Sequence, residues 1–83
     1  TLEQLKILKY IVEFGSLKEA GKRLHKTQPA LSIAIKKLEA EFGFQMLDRN
    51  QYRLALSPEG DIFYREAVNL LNGADHLSLL ANS

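Results

Sequence analysis

Residues 16–43, SLKEAGKRLHKTQPALSIAIKKLEAEFG, constrain the fold of this chain more than any other stretch. Ser16 and Glu19 form S-x-x-E, a capping box that starts a helix. The inner face of that helix is Leu17, Ala20, Gly21 and Leu24. A glycine inside a helix costs about 1 kcal/mol relative to alanine, so a close helix crossing is expected at Gly21. His25 and Lys26 make a tight turn. Thr27 can cap the next helix, and Pro29 lies in its first turn, where a missing N–H does no harm. Leu31, Ile35, Leu38 and Phe42 then recur at helical spacing as one apolar stripe, and Gly43 closes the helix. A helix buried along that stripe leaves Gln28, Pro29, Ser32, Ile33 and Lys36 on its free side.

The flanking segments read as supports for this pair. Leu2, Leu5, Leu8 and Val12, with Ile11 beside them, predict an amphipathic helix over about 2–14, stopped at Gly15. After Phe44 the period changes. Two short strands near 46–49 and 53–56, joined by a turn at Asn50 and Gln51, form a small wing that must lean on the helices. Ser57, Pro58 and Glu59 start a last helix. Within it Phe63, Ala67, Leu70, Ala74, Leu77 and Ala81 repeat as a heptad seam suited to a partner helix. Tyr64, Val68 and Leu71 form a neighbouring face that can return to the core. Gly73 and two asparagines weaken this helix. The expected fold is mainly α with a small β-wing: a winged helix-turn-helix over 1–57 and a long linker helix for dimerisation over 58–83.

Composition narrows the function. The chain has 83 residues, no cysteine and a net charge of +1. Disulfides, thiolate metal sites and a cysteine nucleophile are excluded, and no metal site or cofactor is expected in this chain. The charge is unevenly placed: residues 16–53 hold eight Lys and Arg against four Asp and Glu, and the remainder holds three against six. That distribution suits a polyanion-binding centre with neutral-to-acidic flanks, although a scattered solvated surface is the plainer alternative. No run approaches the ~20 apolar residues of a membrane span, and no basic-then-apolar leader opens the sequence, so a cytoplasmic location is expected. Without a paired histidine and carboxylate or a glycine-rich phosphate loop, nothing points to an enzyme.

Over essentially its whole length the chain resembles the N-terminal DNA-binding domain of LysR-type bacterial transcriptional regulators. Gly15-Ser16, Ala20, Arg23-Leu24-His25, Gln28-Pro29-Ala30-Leu31-Ser32, Ile35, Leu38-Glu39 and Gly43 carry the resemblance. Leu47, Arg49 and Leu56 in the wing match as well, followed by Ser57, Pro58 and Gly60. The resemblance implies sequence-specific binding of double-stranded DNA by a homodimer joined through the linker helix and seated on an interrupted inverted repeat. It also implies a longer protein, commonly a tetramer, whose C-terminal domain binds a small-molecule effector. The lack of an initial methionine is consistent with an excised DNA-binding part.

The base-reading candidates are Gln28, Pro29, Ser32 and Ile33, on a helix of about 28–42 in the major groove. Ser16, Lys18, Thr27, Lys36 and Lys37 are the phosphate-contacting candidates. Arg49, Asn50 and Arg53 in the wing are expected to reach the flanking backbone or minor groove. Two positions depart from the family pattern. Lys18 stands where threonine is frequent, and Ile33 with Ala34 stand where polar or basic residues are frequent. Ile33 cannot donate a hydrogen bond but can pack on a thymine methyl.

Plainer roles stand beside these: Gln28 as cap support, Ser32 and Lys37 as solvated surface, and Arg49 as a partner of Asp48 or Glu41. His25 and His76 read as turn and surface residues, and Tyr52 as packing. A winged-helix module for protein–protein contact, without sequence-specific DNA binding, is the alternative function. It predicts an apolar ridge, whereas Gln28, Ser32 and Lys36 are polar.

Overall fold

Every helix among the described residues begins on a hydroxyl. Thr1, Ser16 and Thr27 accept hydrogen bonds from the N–H groups of Gln4, Glu19 and Ala30 at 3.3, 3.1 and 3.2 Å, and Ser57 accepts from Gly60 at 2.9 Å. Each such cap satisfies an orphan helix donor and contributes about 1 kcal/mol. The computed structural model describes residues 1–48 and 55–81. In chain order the elements are α1 (Leu2–Phe14), α2 (Leu17–Leu24), α3 (Gln28–Phe42), β1 (Leu47–Asp48), β2 (Ala55–Leu56) and α4 (Pro58–Ala81). The first three helices end on left-handed residues, Gly15 at φ 70°, His25 at φ 56° and Gly43 at φ 82°. The strands pair antiparallel, with Leu47 opposite Leu56 and Asp48 opposite Ala55. Met46, expected in the first strand, precedes β1 and turns into the core instead; the other expected strand positions at 49, 53 and 54, the turn at Asn50 and Gln51, and Tyr52 lie outside the described residues.

The core joins Leu5, Ile7, Leu8 and Ile11 of α1 to Ala20 of α2 and to Leu31, Ile35 and Leu38 of α3. Met46, Leu47, Ala67 and Leu71 complete it. The buried stripe of α1 is rotated from the expected one. Ile7 and Ile11 are 3% and 1% exposed, whereas Leu2 is 48% exposed and Val12 half-buried. Leu2 sits in the first turn of α1 and stays at the surface, while Ile7 joins Leu8 and Ile11 in the core. Phe42 is also more open than its position on the α3 stripe suggested, and its ring packs instead on Phe63 at 4.7 Å.

Gly21 meets a close approach, but from the turn rather than from a helix crossing alone. A Cβ there would lie 2.7 Å from the Lys26 carbonyl oxygen and 3.7 Å from Leu31 Cδ1. The Lys26 N–H bonds back to the Gly21 carbonyl at 3.0 Å, which folds the turn tightly over the end of α2.

Two contacts fix the wing to the helices. The Glu39 carboxylate accepts from the Met46 N–H at 2.8 Å. The Ser57 hydroxyl donates to the Gln45 carbonyl at 2.5 Å while capping α4. Gly60 follows from this crossing: its Cα packs so closely on Met46 that an added Cβ would fall 2.1 Å from the Met46 carbonyl oxygen.

At 1.5 Å per residue, α4 is about 36 Å long, in a molecule 45 Å in its greatest extent. Its home-facing stripe is Gly60, Tyr64, Ala67 and Leu71, packed on α1 and the wing. Ala67, expected on the partner-facing seam, is 5% exposed and belongs to this core. The first half of α4 must cover α1, and Ala67 lies on the side that does so. Phe63 is half-buried against Phe42 and Phe44. Leu70 and Leu77 remain 55% and 67% exposed, Ala74 is half-buried and Ala81 exposed. Burial raises the Tyr64 phenol above its usual pKa of 10.0, and the negative charge of Glu13 on α1 adds to the shift. No helix among the described residues is long and apolar enough to cross a membrane.

Candidate nucleic-acid interface

The free side of α3 carries Gln28, Pro29, Ile33, Lys36 and Lys37, all exposed, with Ser32 half-buried at its edge. This side turns outward because Leu31, Ile35 and Leu38 are essentially fully buried on the other. Thr27 is the cap, so Gln28 and Pro29 occupy the first turn, where backbone N–H groups and the helix dipole offer positive potential. The other helices each place an acid in the first turn, Glu3 in α1, Glu19 in α2 and Glu59 with Asp61 in α4. There is none in the first turn of α3, so its positive end is left uncompensated.

Beside that end lies an open basin of about 470 Å³ lined by Lys18, Gly21, Lys22, His25, Lys26, Thr27 and Gln28. The α2–turn–α3 geometry therefore brings together Lys18, Thr27 and Gln28 from the expected set. Ser16 lies two residues before Lys18, half-buried, with its oxygen engaged by the Glu19 N–H. Its hydroxyl proton, like that of Thr27, is free of the cap and can be donated outward. Lys36 and Lys37 lie further along α3. Arg49, Asn50 and Arg53 lie outside the described residues.

The basic residues of this region divide into two groups. Lys22 pairs with Glu19 at 3.6 Å, Lys26 with Glu3 at 3.7 Å, and the Arg23 guanidinium stacks over the Phe14 ring at 4.8 Å. The first pair lies within α2, and the other two tie the turn and α2 to α1. Among the described residues, Lys18, Lys36 and Lys37 make no ion pair and project from the surface.

Glu39 is the residue whose importance the sequence did not disclose. It belongs to the Leu38-Glu39 pair at the end of α3, yet its partner Met46 is seven residues away, across a loop with no local motif. Through it one side chain ties the end of α3 to the root of the wing.

A short helix, a tight turn and an exposed second helix, followed by a two-stranded wing and a long helix, define a winged helix-turn-helix protein. The family model for the bacterial regulatory helix-turn-helix proteins of the lysR family matches residues 2–61, and the chain belongs to that family. It is similar to BenM, an HTH-type transcriptional regulator of Acinetobacter baylyi, with 37% identity over 76 residues, 92% of this chain and 25% of that protein. A probable RuBisCO transcriptional regulator of Guillardia theta is 37% identical over 75 residues, 90% of this chain and 24% of that one. Among solved structures, the BenM DBD/catB site 1 DNA complex superposes with a TM-score of 0.94 at 34% identity, covering 99% of this chain and 92% of that one. CbnR, a LysR family transcriptional regulator, superposes with a TM-score of 0.90 at 29% identity, over 99% of this chain and 28% of its own. These relatives are transcriptional regulators, not enzymes, and the chain spans about a quarter of the length of the curated ones.

Proposed function

We propose that the chain binds double-stranded DNA sequence-specifically as the DNA-binding unit of a transcriptional regulator. The recognition helix α3 enters the major groove, which admits one helix and presents a distinct pattern at each base pair. Gln28, Pro29, Ser32 and Ile33 meet the bases, and Ser16, Lys18, Thr27, Lys36 and Lys37 meet the phosphates. The wing, with Arg49, Asn50 and Arg53, lies on the flanking backbone or minor groove. The observation that carries this reading is the division of cations: those that brace the fold are paired, and those around the α3 face are not. The likeness to a BenM DBD/DNA complex over nearly the whole chain supports it.

Two copies joined along α4 would seat two recognition helices on an interrupted inverted repeat. Phe63, Leu70, Ala74, Leu77 and Ala81 form the outward seam for that contact, with Ala67 left to the core. In the longer protein, a C-terminal domain would bind the effector and permit tetramers.

Lys36→Ala tests the reading directly. Binding should weaken on specific and unrelated duplexes alike, and the slope of log affinity against log salt should fall by about one. An unchanged slope in fluorescence anisotropy titrations would remove Lys36 from the phosphate contacts. A salt-independent interaction with duplex DNA would overturn the reading itself.

A further inference from the structure

Ile33 has no role in the fold that explains its exposure. It is 55% exposed on the face of α3 opposite the buried stripe. The other large exposed apolar side chain of α3, Phe42, packs on the Phe63 ring. Pro29 is accounted for by the first-turn position that proline favours. Ile33 stands between Pro29, one turn earlier, and Lys36 and Lys37, about one turn later, so an apolar spot is flanked by the cations that would hold phosphate. Its β-branch restricts χ1 to essentially one rotamer in a helix. Its two γ-carbons are thus held in place at little entropic cost, and it offers neither donor nor acceptor to any base edge. In the major groove the apolar feature that matches such a surface is the 5-methyl group of thymine.

We propose that Ile33 sets specificity by packing on the 5-methyl group of a thymine, at a position that this side chain alone reads. This rests on the DNA-binding reading above and identifies what that surface selects. A side chain without hydrogen-bonding groups cannot reward guanine, whose major-groove edge presents acceptors only. The requirement is therefore for the methyl group, not for a donor or acceptor pattern.

The test begins with duplexes selected by the chain from a random pool, followed by replacement of each thymine in the selected half-site with uracil. Uracil keeps the Watson–Crick pairing and removes only the methyl group. At one position the replacement should weaken binding about fourfold, the effect of one buried methyl-sized group. Ile33→Ala should bind the thymine duplex more weakly and lose its sensitivity to uracil there, while retaining the wild-type circular dichroism spectrum and salt slope. A selected half-site without thymine, a flat uracil scan, or an equal uracil penalty in Ile33→Ala would each overturn the assignment and leave DNA binding intact. Failure of the pool to yield any salt-sensitive duplex would instead remove the DNA-binding reading, and this inference with it.

Discussion

Gln28 occupies the first turn of α3, exposed, beside the positive end of the helix and the basin that holds Lys18 and Thr27. Its amide carries both a donor and an acceptor, the combination that pairs with the N6 and N7 edge of adenine. The structure also shows that the cap is supplied by Thr27, whose hydroxyl accepts the Ala30 N–H, so Gln28 is not needed for that task. Gln28→Ala should therefore cost about 1–3 kcal/mol on the specific duplex and leave affinity for unrelated DNA nearly unchanged. Parallel titrations on the two duplexes measure this, and equal losses would return Gln28 to a structural role. Lys18 and Lys22 show how little sequence spacing decides at this scale. Both are lysines of α2 on the basin, yet Lys22 is drawn to Glu19, and only the placed side chains separate a brace from a contact.

At the scale of elements, the helices were legible because their signals are local. Capping hydroxyls, left-handed stops and apolar spacing fixed α2 and α3 to within a residue or so of their observed bounds. The cap of α1 at Thr1, whose hydroxyl accepts the Gln4 N–H at 3.3 Å, is harder to read, because no preceding residues set the pattern T-x-x-Q apart. The wing was legible as two strands, but not the means by which it is held, since Glu39, Met46, Ser57 and Gly60 come together only after folding. Glu39→Ala should loosen the wing by removing the acceptor for the Met46 N–H, at a cost of about 1–3 kcal/mol for an unsatisfied part-buried donor. Glu39→Gln keeps an acceptor oxygen and should retain most of the stability. Hydrogen exchange at the Met46 amide would report the difference, and equal protection in wild type and Glu39→Ala would show that another group holds the strand.

For the whole molecule, the ambiguity of α4 explains why Ala67 reads as a seam residue yet lies in the core. A heptad seam and a home-facing stripe share the same 3–4 spacing, and the sequence cannot say which neighbour each face meets. The structure shows that α4 serves its own core through Gly60, Tyr64, Ala67 and Leu71, while Leu70 and Leu77 stay exposed. If two copies join along α4 as proposed, introducing charge on the outward side alone, as in the double variant Leu70→Glu and Leu77→Glu, should leave folding intact and shift that dimer to monomer in sedimentation equilibrium. Affinity for an inverted repeat should then fall toward that for a single half-site. A dimer that survives both substitutions would place the contact elsewhere.

The hydroxyl of Ser57 gives this arrangement a mechanical meaning. One oxygen holds the Gln45 carbonyl on one side and the Gly60 N–H on the other, at the point where the wing ends and α4 begins. Together with the close seat of Gly60 on Met46, that oxygen pins the start of α4 to the root of the wing. On the dimer proposed above, a displacement of α4 should therefore carry the wing root with it. What such a displacement would alter is the separation of the two α3 helices, and not the bases each one meets.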